Sequence, residues 1–240
     1  MGGRGGSSHL AGHSGGGGTL QAASYNGVQQ VAQRMGIRLD IASFLSYRIN
    51  PIYISQTLQS VQLIYRNFPA MAGHVRYIDA EETRSSVYAS AGGDGGLHLG
   101  LYGRWSAQQL KASWDRSLRT HFHPQGATSA HIFVHEMGHQ MEAYLNKRDY
   151  GDAWDWGKSS SRIVVAAAKE VDSSITGLDD PKLYRLAADI SGYAVYKNGV
   201  YGYPWAVWET LAEAVQDVGD NGASAKPLST AIWNELKRRM

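Results

Sequence analysis

An α+β fold is what this sequence predicts. Strand-type segments fill a short central stretch, helical periodicity flanks it on both sides, and one later helix carries two histidines four residues apart. Ahead of these, residues 1–18 (MGGRGGSSHLAGHSGGGG) are glycine-rich and read as a flexible tail, whose His9 and His13 are expected to be solvated. Residues 19–240 read as one folded unit, long enough for a sizeable core.

Helical spacing of apolar residues begins at about 26–35 and resumes at 55–67, where Pro69 stops it. Three strand candidates follow: Val75–Asp79, Ser86–Ser90 and Leu97–Tyr102. The glycine-rich 91–96 loop suits a hairpin between the last two. Leu97–Tyr102 has two readings, an exposed edge able to pair with an extended peptide or an ordinary internal strand. A helix at 106–118 precedes the histidine helix at about 130–145, for which Thr128 or Ser129 is the expected N-cap. Further helices are expected at about 160–172, 182–190, 205–218 and 228–239. The basic Lys237-Arg238-Arg239 suits the end of the last, where cations complement the helix dipole.

Composition narrows the function. Charged residues make up 18% and the net charge is only +2, which gives no support to nucleic-acid binding. No apolar run is long enough to span a membrane, the N-terminus lacks the apolar core of a secretion signal, and Gly6 breaks the myristoylation pattern. These readings favour a cytoplasmic or virion-associated location. The chain has no cysteine, so any zinc ligands must be His, Asp or Glu, as in catalytic rather than structural sites.

The chemistry concentrates in His135-Glu136-Met137-Gly138-His139. Histidines at i and i+4 lie one above the other on a helix and reach one ion, and the intervening glutamate is placed to act as general base on a metal-activated water. The alternative is a pair of core histidines hydrogen-bonded to backbone. His131 extends the series, but eight residues of helix rise about 12 Å, so it is a neighbour rather than a ligand. Two histidines need a third protein ligand. Glu142 and Leu145 stand where a compact third-histidine motif needs glycine and histidine, so that variant is excluded. Glu209 and Glu213, one helical turn apart in a mostly apolar helix, are candidates; the alternative is a solvated surface pair whose repulsion cations or solvent would relieve.

His135-Glu136-Met137-Gly138-His139, Ser191-Gly192-Tyr193-Ala194 and Glu209-Thr210-Leu211-Ala212-Glu213 together resemble the H-E-x-G-H, S-x-Y-A and E-x-x-A-E series of gluzincin-type zinc metallopeptidases. The likeness is greatest to the anthrax-lethal-factor-like catalytic domain, with relatives in phage-encoded and clostridial proteins, and it covers about 130–218. It implies a zincin-like fold: a small twisted sheet, an active-site helix and a mainly helical C-terminal half. It implies Zn2+ held by His135, His139 and Glu209, with Glu136 as general base. Glu213 would orient a histidine ligand and Tyr193 would stabilise the oxyanion. The gap from Tyr193 to Glu209 is longer than in the lethal factor, so Tyr196, Tyr201 and Tyr203 are alternatives for that last role. The expected activity is zinc-dependent cleavage of a protein or peptide substrate. The alternative is a phage head-associated structural or assembly module that binds zinc without proteolysis.

Overall fold

The computed structural model describes residues 24–81, 88–100, 104–197 and 204–240. It is α+β and mostly helical, with a small mixed sheet. The glycine-rich head, Ser86, Val87, Leu101, Tyr102, Tyr201 and Tyr203 lie outside the described residues.

The N-terminal third builds a platform. Helix α1 (Tyr25–Arg34) is capped by Ser24, whose hydroxyl accepts from Gly27 N. Strand β1 (Arg38–Leu39) and helix α2 (Ile41–Ser46) follow, two short elements that apolar periodicity does not reveal. Helix α3 (Pro51–Asn67) begins four residues earlier than the sequence suggests. Asn50 caps it and Pro51 sits in its first turn, where a missing N–H costs nothing.

Strands β2 (Tyr77–Ala80), β3 (Ala89–Ala91) and β4 (Gly96–Leu99) join β1 in the order β1-β2-β4-β3. The first two contacts are parallel, and the β3–β4 hairpin is antiparallel. Of the two readings of Leu97–Tyr102, the internal strand is the one found. The parallel partner β2 occupies one side of β4 and the hairpin folds β3 onto the other, so the outer edge belongs to β3. Gly95 makes the hairpin turn possible. Its φ is +87°, and a Cβ there would meet His74 O at 2.5 Å.

On the sheet, His98 Nδ1 lies 2.6 Å from Asp79 Oδ1 on the neighbouring strand. That hydrogen bond raises the His98 pKa above its ordinary 6.5. A raised histidine pKa contributes stability that is fully present below pH 6.5 and lost as pH rises through the folded value. The His98 imidazole should therefore titrate above 6.5 by NMR, and Asp79→Asn should lower the midpoint. An unchanged midpoint in that variant would remove the assignment.

Helix α4 (Ala107–Arg119) opens with a reciprocal capping box between Ser106 and Gln109. A 3-10 turn at Ser129–His131 then delays the histidine helix α5 (Ile132–Tyr150) by two residues. Neither expected N-cap acts as one: Thr128 turns its hydroxyl to Asp220 Oδ1, 3.2 Å away. Instead of burying one stripe, α5 is enclosed on nearly all sides. Helices α6 (Lys158–Val171), α7 (Pro181–Ile190), α8 (Val207–Asn221) and α9 (Pro227–Arg239) complete the fold. The basic end of α9 pairs internally: Arg238 and Arg239 both bind Glu235. Among the described residues no helix is long and apolar enough to cross a membrane.

A candidate metal centre between two buried helices

Helices α5 and α8 cross where small residues face each other. A Cβ on Gly138 would lie 2.6 Å from the Cα of Ala212, so the two backbones are nearly in contact there. His135 and His139 flank Gly138, and Glu209 and Glu213 flank Ala212. The close crossing therefore brings both pairs of side chains face to face. Gln140 fixes the other side of α5, donating its two amide hydrogens to Gly92 O (2.9 Å) and Gly96 O (2.8 Å) at the hairpin turn.

Three ligand atoms converge. Glu209 Oε2 lies 3.2 Å from His135 Nε2 and 3.3 Å from His139 Nε2, and the two imidazole nitrogens are 3.1 Å apart. Donors about 2.0–2.1 Å from one tetrahedral ion sit about 3.3 Å from each other. The triangle matches that spacing before any adjustment. Glu209 Oε2 is also buried without a directed hydrogen bond, and a cation would satisfy it. The group His135, His139 and Glu209 can thus hold a metal ion.

Glu213 stands behind this triangle. Its Oε1 is fully buried, 2.8 Å from His135 Nδ1 and 3.3 Å from His123 Nδ1. One imidazole thereby separates the two carboxylates, which relieves the repulsion expected of them. Burial alone would raise the pKa of Glu213, but His123 and His135 hold it down to about 2. Burial likewise pushes Glu209 up, and the imidazoles of His139 and His135 bring it well below the usual carboxylate range. Glu136 is different. Burial raises its pKa, and the imidazoles of His135 and His139 offset the effect only in part.

Tyr193 reaches the same place from the segment before α8. Its ring stacks on His135, with centroids 5.7 Å apart, and burial followed by the Glu209 and Glu136 carboxylates raises its pKa, keeping the phenol protonated. The long gap to Glu209 does not displace it. Ala206 N donates to Tyr196 O (2.8 Å), which holds these two residues together. Thr210 Oγ1 donates to Ala194 O (2.6 Å), tying the first turn of α8 to the tyrosine segment. Tyr196 also lines the cavity but is 49% exposed at its rim. His131, whose Nδ1 lies 2.5 Å from Asp220 Oδ1, is outside the metal group. Glu142, on the same stripe as the histidines, instead accepts from Gly157 N and Ser160 N at the start of α6.

These residues open onto a cavity of about 480 Å³, bordered on one side by β3. His123, Trp114 and Gln216 line it too, and nothing in their spacing marks them in the sequence. His123 arrives because Gly192 N and Tyr193 N donate to His121 O and Phe122 O, binding the two segments together. Trp114, anchored through Nε1 to Ala127 O, stacks on it at 4.4 Å.

The geometry separates the two acidic positions. Glu209→Ala removes a corner of the triangle and is expected to abolish stoichiometric metal binding. Glu213→Ala removes only an orienting partner and should weaken affinity by about 10- to 100-fold. Equilibrium metal titration distinguishes the two, and a greater loss in Glu213→Ala would exchange their roles. Comparison of the chain with family models, with curated proteins and with solved structures finds no match.

Proposed function

We propose that this chain is a zinc-dependent endopeptidase with a zincin-like fold. The observation that carries the reading is the placement of Glu209 Oε2 within 3.3 Å of both His135 Nε2 and His139 Nε2, with Glu136 beside them at the cavity wall. An all-imidazole and carboxylate donor set with room for a further ligand suits catalytic zinc. The outermost strand β3, antiparallel to β4 and bordering the cavity, supports an extended peptide as substrate, paired along that edge.

His135, His139 and Glu209 would hold the ion, which when bound supplies Lewis acidity toward water and the scissile carbonyl. Glu136 takes a proton from the attacking water as its oxygen bonds to the carbonyl carbon. It then passes that proton to the amine nitrogen as the C–N bond breaks. Its raised pKa suits both halves of that exchange. Tyr193, protonated throughout, donates to the oxyanion, a contribution of about 3 kcal/mol for a well-placed donor. Glu213 Oε1, 2.8 Å from His135 Nδ1, would hold that ring in the tautomer that leaves Nε2 for the metal.

The purified chain is expected to carry about one zinc per molecule. It should cleave members of an unbiased peptide library, lose the activity to a chelator and regain it with zinc. A zinc-loaded chain that cleaves nothing would instead favour the assembly role, in which the ion only stabilises the α5–α8 crossing.

A further inference from the structure

Part of the cavity wall is formed by Trp114, His123, Ile132 and Gln216. Two polar side chains there are unusually placed. His123 is 7% exposed and Gln216 is fully buried, yet His123 Nε2 and Gln216 Oε1 have no hydrogen-bond partner. Their other ends are accounted for. His123 Nδ1 faces Glu213 Oε1 at 3.3 Å, and Gln216 Nε2 donates to His131 O at 3.4 Å. Neither Glu213 nor His131 lines the cavity, so each bonded end is turned away from it.

These partners fix the chemistry of what remains. A carbonyl can only accept, so the Gln216 amide must present Nε2 to His131 O, leaving Oε1 as acceptor. A neutral imidazole that donates from Nδ1 to a carboxylate accepts at Nε2. The stack on Trp114 and the Glu213 contact hold the His123 ring in one orientation. Buried acceptors left without donors are costly, and a site that retains them is matched to a ligand that supplies donors.

We infer that this part of the cavity is a specificity subsite for a substrate side chain ending in N–H donors, such as a glutamine-type carboxamide, with His123 and Gln216 as the discriminating residues. The inference rests on the zinc peptidase reading for its orientation, since the metal would anchor the substrate in the same cavity. The indole of Trp114 and the side chain of Ile132 would cover the apolar stem, and the acceptors would receive the terminal N–H groups.

The test uses binding, so it does not depend on turnover. Two hydroxamates are compared on the zinc-loaded full chain by calorimetry, one with a glutamine-type side chain and one with the isosteric branched alkyl of homoleucine. The carboxamide should bind on the order of tenfold or more tightly. His123→Phe and Gln216→Met, which keep bulk but lose the acceptors, should each reduce that preference. Thermal melting reports whether the variants fold; if neither does, the wild-type comparison alone decides. Equal or tighter binding of the alkyl probe overturns the inference, as does a preference untouched in folded variants. Failure of both probes on protein with zinc bound also overturns it. Absence of zinc from the purified and reconstituted chain overturns the metal reading as well, whereas discrimination between probes without peptide cleavage would remove only the peptidase activity.

Discussion

Glu136→Gln is expected to keep its zinc while losing peptide hydrolysis by about 10²- to 10⁴-fold, the usual worth of a positioned general base. Glu136 is not among the three converging ligand atoms, and glutamine has the same shape, so the metal group is left intact. What disappears is the capacity to take a proton. A second consequence follows from burial. Burial raises the Glu136 pKa, so its charged form destabilises the fold as pH climbs above the ordinary carboxylate value. The metal-free Glu136→Gln protein should therefore melt no lower than wild type at neutral pH, and its advantage should shrink on acidification. Metal analysis, hydrolysis of a cleaved library peptide and thermal melts at two pH values check these points. Full activity in the variant would remove Glu136 from the chemistry.

Gly138→Ala should damage both the fold and the metal group. The added methyl would lie 2.6 Å from the backbone of Ala212, where no side chain can swing aside. The helices must separate, and overpacking of this kind costs about 1–3 kcal/mol. In a protein of this size the melting temperature should fall by several degrees. The separation also carries Glu209 and Glu213 away from the histidines, so zinc affinity should drop by about 10- to 100-fold, as for loss of an outer partner. Gly177→Ala, where a methyl meets nothing within 4 Å, is the control and should be near neutral. Unchanged melting and zinc affinity in Gly138→Ala would refute the close crossing.

The legible elements share one property, a long periodic pattern. Helices α3 to α9 all lie within a few residues of where their apolar spacing puts them, because each buries a face wide enough to leave a trace in sequence. Strand β1, two residues long, and helix α2, six residues long, are shorter than the periods that would reveal them. The N-terminus of α5 departs from the expected cap for a different reason. Thr128 has the chemistry of a cap, but Asp220, 92 positions away, offers its hydroxyl an acceptor.

The candidate site divides along the same line. Residues sharing one helix, His135 with His139 and Glu209 with Glu213, have their relation set by helical geometry and can be read from spacing. His123 and Gln216 cannot, because each gains its meaning from a contact 85 or more positions away, with Glu213 and His131 respectively. The chain itself determined the helices, the motif and the spacing of its histidines and of its two candidate acids. Whether those groups meet was decided by tertiary structure, where Gly138 and Ala212 let two helices approach closely. Local sequence dictates spacing along an axis, and only packing dictates the distance between axes.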